Sequence, residues 1–210
     1  MIEKFKPSMF KLPKFEDKMS YLYYLYNNLG FTNLELCISK KEGDTMFFSK
    51  WVMFSSLLEK SGSEWVKGTF NADFEGSRNV LNGEGKGRPY TRDEFIQACS
   101  HRTIMDIELM FDVDESGVFP TIKDKSVYIV DSLKRMGFNP HVSFTGNKSY
   151  HISVIIPELR GFNKTVRKFI KETVLKNFGA DTQKSSERCM ISMLGAVHYR
   201  SKKPKTEVEL

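Results

Sequence analysis

The sequence predicts an α+β fold, on three observations. From residue 103 onward the apolar period switches between two and about 3.6, in the order β-α-β-β-α-β. The middle pair of strands is joined by a Gly146-Asn147 turn, a hairpin signal. No internal repeat and no long Ser/Gly linker divides the 210 residues. That order places helices on one face of a sheet.

Each element has its own warrant. Residues 1–15, with Pro7 and Pro13, read as an arm or edge segment. Residues 15–30 read as a helix, with Met19, Leu22, Tyr23, Leu25 and Tyr26 at helical spacing and Gly30 at its end. Residues 34–39 predict a short strand, and 45–62, apolar nearly all round, a buried helix. Residues 64–70 alternate as a strand, and 74–90, with four glycines and a proline, read as a loop. Thr91 with Glu94 forms a capping box for a helix over 92–102. Then follow a strand of period two from Thr103 through Glu115, an amphipathic helix over 121–138, the hairpin strands around 141–145 and 149–157, and a helix over 161–179. Short irregular pieces and a strand or two complete the chain. The break between lobes falls in the glycine-rich loop. Residues 1–90 form a mixed α/β lobe and 91–210 a second lobe of the same compact unit.

Composition bounds the function. Hydrophobic residues make up 40% and charged residues 28%, which excludes wholesale disorder. No apolar run reaches the roughly 18–20 residues of a membrane span, and the N-terminus lacks an apolar signal core. Cys37, Cys99 and Cys189 form no CxxC pair, so no zinc is expected. A reducing, cytoplasmic setting with no membrane partner is expected. The formal charge of +6 is local. Residues 160–210 hold 12 Lys and Arg against 5 Asp and Glu, whereas residues 106–115 hold five carboxylates and no base. A basic region beside an acidic cluster suits phosphate ligands and their cations.

The acidic cluster alternates. Asp106, Glu108, Met110, Asp112 and Asp114 share one face of the predicted strand; Ile107, Leu109, Phe111 and Val113 share the core face. Carboxylates two apart lie roughly 6.5–7 Å from each other along a strand. They can converge on one hard cation or bridge a pair, and oxygen ligands favour Mg²⁺ or Mn²⁺. In the hairpin, Ser143, Thr145, Gly146, Asn147, Lys148, Ser149 and His151 gather around one turn, donors suited to phosphate oxygens. On the last predicted helix Lys164, Arg167, Lys168 and Lys171 make a basic stripe. Asp181 follows as a late acid, then Arg188 and His198.

Taken in order, Phe111-Asp112-Val113-Asp114, Gly146-Asn147-Lys148-Ser149-Tyr150-His151, Asp181, Arg188 and Gly195-Ala196-Val197-His198 resemble the motifs of the archaeo-eukaryotic primase superfamily, primase-polymerase type. The resemblance covers about residues 103–200; residues 1–100 carry no matching motif. It implies a primase-polymerase core, with the DxD strand and SxH hairpin in a helix-packed sheet and a mixed N-terminal lobe. It implies templated nucleotidyl transfer, as a DNA primase or DNA polymerase, by a two-metal mechanism. Asp112, Asp114 and Asp181 would hold two Mg²⁺ or Mn²⁺ ions. Lys148, Ser149, His151 and Arg188 would bind nucleotide phosphates. Lys164, Arg167, Lys168 and Lys171 would track a nucleic-acid backbone. Implied partners are single-stranded or primer-template nucleic acid and dNTP or NTP, with a helicase or other replication, repair or defence proteins alongside. Two rivals remain: a nucleic-acid-binding subunit on a degenerate primase fold, and a haloacid-dehalogenase-type phosphatase reading Asp112-Val113-Asp114 as its first motif.

Overall fold

The alternation at 109–113 and the turn-rich hairpin after it build the central sheet of the protein, described from a computed structural model. The structure describes residues 12–15, 17–42, 45–49, 51–59, 74–76, 92–187 and 189–210. In chain order the elements are α1 (Lys18–Tyr23) with a π turn (Tyr24–Asn28), β1 (Glu35–Cys37), β2 (Ser39–Glu42), β3 (Thr45–Ser49), β4 (Val52–Met53), α2 (Phe54–Glu59), β5 (Phe74–Gly76), α3 (Arg92–Ala98), β6 (His101–Thr103), β7 (Glu108–Val113), α4 (Ile122–Arg135), β8 (His141–Phe144), β9 (Tyr150–Ile155), a 3-10 turn (Pro157–Gly161), α5 (Lys164–Asn177), a second 3-10 turn (Thr182–Ser185), β10 (Met190–Ser192) and β11 (Thr206–Glu207).

Among the described residues the strands form three antiparallel sheets, ordered β11-β8-β9-β7, β10-β6-β1-β4 and β2-β3-β5. The fold is α+β. Helices α4 and α5 cover one face of the first sheet, where Leu109, Phe111, Val113, Ile129, Val130, Leu133, Ile152, Val154 and Leu175 form a core. A second core gathers Leu22, Leu25, Phe31, Leu36, Phe54, Phe95, Ile107 and Leu159. Strands β1 and β4 share their sheet with β6 and β10, so elements on both sides of the glycine-rich segment build one layer. Among the described residues no helix is long and apolar enough to cross a membrane.

The helix boundaries follow their caps. Thr121 Oγ1 accepts from the Asp124 amide and donates to its carboxylate, starting α4. Asn163 accepts from the Val166 amide, so α5 starts at Lys164 rather than at 161; Pro157 opens a separate 3-10 turn before it.

Several expectations are corrected. Residues 45–62 are not one helix. Thr45–Ser49 pairs with Ser39–Glu42, with only Gly43 and Asp44 of sequence between the paired Glu42 and Thr45, and the helical part is Phe54–Glu59. The apolar run hid a hairpin signal that Gly-Asp supplies. The helix over 15–30 is α1 and the π turn, ending at Asn28. The helix expected over 92–102 ends at Ala98, and His101–Thr103 is strand instead. The strand expected from Thr103 to Glu115 is broken: β7 starts at Glu108, and Ile107 joins the other core. The 64–70 strand and the Thr91 cap lie outside the described residues, as does the 74–90 loop beyond β5.

The outer face of β7 is not a solvent face. Met110 is buried with Ile104 and Ile191. Glu108, fully buried, meets Arg102 of β6 through two 2.8 Å contacts, Nη1 to Oε2 and Nη2 to Oε1. Ser153 Oγ donates to Glu108 at 2.6 Å, the Met105 amide donates at 3.2 Å, and Arg102 Nε donates to Tyr21 Oη at 2.8 Å. Burial works to raise the Glu108 pKa, but the Arg102 charge and these donors outweigh it and hold it down at about 2. Glu108 therefore serves the join between two sheets and faces no ligand site.

Breaking one partner of such a pair leaves an uncompensated buried charge. Glu108→Gln is expected to destabilise the fold by about 3–5 kcal/mol, read by urea unfolding. Because the folded pKa lies below the unfolded value of about 4.3, the Glu108 contribution is present above that value and lost as pH falls toward about 2. The variant should lose that part of the acid slope; an unchanged slope would contradict the pairing.

Candidate active site

Register brings the first two motifs together. Asp112 of β7 stands opposite His151 of β9, and His151 stands opposite Ser143 of β8. In an antiparallel pair, opposed residues point to the same face. That face opens on a cleft of about 450 Å³ lined by Asp112, Asp114, Ser149 and His151, by His101 and Ser192 of the other sheet, and by His198 and Lys202 of the C-terminal segment.

Asp112 sits between two nitrogens. Its Oδ1 lies 3.4 Å from His151 Nε2 and its Oδ2 lies 3.3 Å from Lys184 Nζ. Partial burial works to raise its pKa; His151 and Lys184 outweigh this and hold it at about 2, so the carboxylate is ionised at neutral pH. His151 is pushed down to about 4 by burial and then by the Lys205 charge, against the pull of Asp112. Its Nδ1 lies 2.8 Å from Lys205 Nζ. Lys205 is itself buried and pushed down to about 7, first by desolvation and then by Arg102.

The far wall is polar and neutral. Ser39 N donates to Ser100 Oγ at 2.9 Å, the Ser39 and Ser100 hydroxyls lie 2.8 Å apart, and Ser100 Oγ lies 2.9 Å from His101 Nδ1. The Phe48 ring meets the His101 ring edge-on at 5.5 Å. Burial, then Lys205, lowers the His101 pKa to about 4.

The C-terminal segment closes the hairpin tip. Thr145 Oγ1 donates to the Ser149 carbonyl at 3.0 Å, and Ser201 Oγ donates to the Gly146 carbonyl at 2.5 Å. Gly146 has φ of +90°, and a Cβ there would stand 2.5 Å from the Lys203 carbonyl oxygen. Glycine is required on both counts.

The structure brings together Asp112, Asp114, Ser149, His151 and His198. Among the described residues, the other predicted site residues do not line that cleft. Asp181 caps the second 3-10 turn, its Oδ1 accepting from the Gln183 amide at 2.9 Å, and does not line the cleft. Among the described residues no group of three His, Cys, Asp or Glu side chains is placed to hold a metal ion. Lys148 is exposed at the hairpin tip, outside the cleft lining. Arg188 lies outside the described residues.

The basic stripe is narrower than its spacing implied. Lys164 and Lys168 are exposed. Arg167 Nε donates to Glu187 at 2.8 Å, and Lys171, 1% exposed, donates to the Met105 carbonyl at 2.9 Å. Lys171 turns inward because α5 packs that side onto the chain before β7. Sequence reasoning missed Lys184, Lys205, His101 and the Ser39–Ser100 pair. The run Lys202-Lys203-Pro204-Lys205 was visible as charge, but nothing local marked its last lysine as buried.

No family model matches the chain, and no curated protein matches it. Among solved structures, the chain is similar to the polymerase domain from Mycobacterium tuberculosis Ligase D in complex with DNA. The superposition has a TM-score of 0.50 at 12% identity, covering 90% of this chain and 80% of that one. At that identity the likeness is one of fold.

Gly146→Ala is expected to cost about 1–3 kcal/mol, since it adds backbone strain to a steric clash. Urea unfolding at matched conditions checks this; a stability equal to wild type would refute the close approach of Lys203.

Proposed function

We propose that this protein is a primase-polymerase type nucleotidyltransferase that adds nucleotides to a 3′-hydroxyl opposite a template. The observation that carries the reading is the convergence of Asp112 and Asp114 with Ser149, His151 and His198 on one cleft. The fold likeness to a polymerase domain supports it.

The donor set suits hard cations: two carboxylates from one strand end on a shared cleft. Asp112 and Asp114 would hold Mg²⁺ or Mn²⁺, with Asp181 as the third carboxylate once its cap to Gln183 opens. When bound, the two ions lower the pKa of the attacking hydroxyl and neutralise charge on the triphosphate and departing pyrophosphate. The chain's own groups do the rest. Lys184, now against Asp112, gives up that carboxylate and turns toward the phosphates. Ser149 and His151 donate to phosphate oxygens, with Lys148 and Arg188 as the further phosphate-binding residues. This fixes the triphosphate for in-line attack. Lys164 and Lys168, exposed on α5, supply backbone contacts for the nucleic acid, and Arg167 joins them if it leaves Glu187.

One observation favours a second reading. Asp112 is already matched by Lys184 and His151, as it would be in a nucleic-acid-binding subunit that has lost its chemistry. Primer extension on single-stranded template, with dNTP and NTP and with Mg²⁺ or Mn²⁺, separates the two. Wild type should extend, and Asp112→Ala and Asp114→Ala should each lose at least about 100-fold. A wild type that binds DNA in a salt-dependent way, extends nothing, and is indifferent to both alanines would establish the binding subunit.

A further inference from the structure

Lys205 lies behind the His151 ring and does not itself line the cleft. It is 6% exposed, and its Nζ donates to the Ser192 carbonyl at 2.6 Å while meeting His151 Nδ1 at 2.8 Å. Its backbone is held on both sides. The Lys205 amide donates to the Ala196 carbonyl at 2.9 Å, and its carbonyl accepts from the Gly195 amide at 2.8 Å. Val197 and Pro204 pair as an antiparallel bridge, and the His198 amide donates to the Lys203 carbonyl at 2.8 Å. The Gly195–His198 element therefore grips the chain around Lys205 and fixes where its ammonium stands.

The ring has one form that satisfies both neighbours. As an ammonium, Lys205 has three N–H donors and no acceptor, and Nδ1 then accepts from it. On the other side Nε2 faces Asp112 Oδ1 at 3.4 Å, and an ionised carboxylate only accepts. With an ammonium on one side and a carboxylate on the other, the form that suits both has Nδ1 bare and the proton on Nε2. We propose that Lys205 is a positioning residue for the nucleotide site, locking His151 in the Nε2–H form so that its N–H points into the cleft for a phosphate oxygen. The proposal rests on the phosphate-binding reading of His151. Asp112 cannot hold the ring form throughout, because its oxygens are the ones that serve the cations. Lys205 then remains to dictate it. The arrangement parallels the way outer partners fix imidazole ligands elsewhere.

The test is imidazole ¹⁵N NMR on the full chain labelled with ¹⁵N-histidine, at a pH between the about 4 of His151 and the about 7 of Lys205, with and without Mg²⁺. His151 signals are identified by their loss in His151→Gln. Wild type should show Nε2–H in both conditions. Lys205→Met should drift to a tautomer mixture when Mg²⁺ is present. Lys205→Arg, also donor-only, should restore Nε2–H. In parallel, dNTP titration with Mg²⁺ should weaken about tenfold in Lys205→Met and recover in Lys205→Arg. A wild-type ring with Nδ1–H or with both nitrogens protonated overturns the proposal, and this measurement stands even if Lys205→Met does not fold. So does a folded Lys205→Met that keeps pure Nε2–H with Mg²⁺. A wild type whose ring form follows Lys205 but which binds no nucleotide overturns the nucleotide-site reading itself, and with it the role of the ring.

Discussion

The buried pair between Arg102 and Glu108 is the constraint on which the cleft depends. It joins β6 of one sheet to β7 of the other, and its side chains also engage Tyr21 of α1 and Ser153 of β9. Two sheets that meet through apolar contacts alone can slide over short distances at little cost. A bidentate, fully desolvated pair admits one geometry. Asp112 lies four residues along the same strand, and His101 adjoins Arg102. The distance across the cleft is therefore inherited from a contact that takes no part in it.

Charge in the cleft is organised in depth. Carboxylates of Asp112 and Asp114 line the opening, while Lys184 and Lys205 stand beside and behind. Of the three imidazoles lining the space, His101 and His151 are kept neutral by burial and by these cations, and His198 is shifted in the same direction by burial and then by Arg200. The site thus offers donors without adding imidazole charge, and its net sign is set by lysines and aspartates alone. That is the balance a polyanionic ligand with its cations requires.

The sequence was informative where structure is local. The acid strand and hairpin are read from alternation and turn chemistry, and α4 and α5 from apolar period and caps, each within a window of a few residues. In the sheet β10-β6-β1-β4 the strand read over 34–39 is β1, but β4 and β6, two and three residues long, carried too little pattern and were read into helices, so the pairing was not legible. Buried lysines were the other blind spot. Lys171 and Lys205 look like solvated charge in one dimension, because their carbonyl partners, Met105 and Ser192, lie 66 and 13 positions away. Lys184 reaches Asp112 across 72 positions, with no local mark. Glu108 misled for a related reason: its partner Arg102 sits only six residues away, but across a turn that the uninterrupted alternation concealed.

The register of β7 against β9 also sets where this chain can vary in length. Asn147 and Lys148 are exposed at the tip, beyond the last paired residues of the hairpin. An extra residue there lengthens a loop and leaves the pairing of Asp112 with His151 intact. The same insertion between Ile152 and Ile155 would shift every preceding side chain of β9 by one place relative to β7, turning His151 away from Asp112 and Tyr150 toward the cleft. Length variation among natural relatives should accordingly collect at the tip and spare the strands, so that gap placement in an alignment becomes a record of where the site is built.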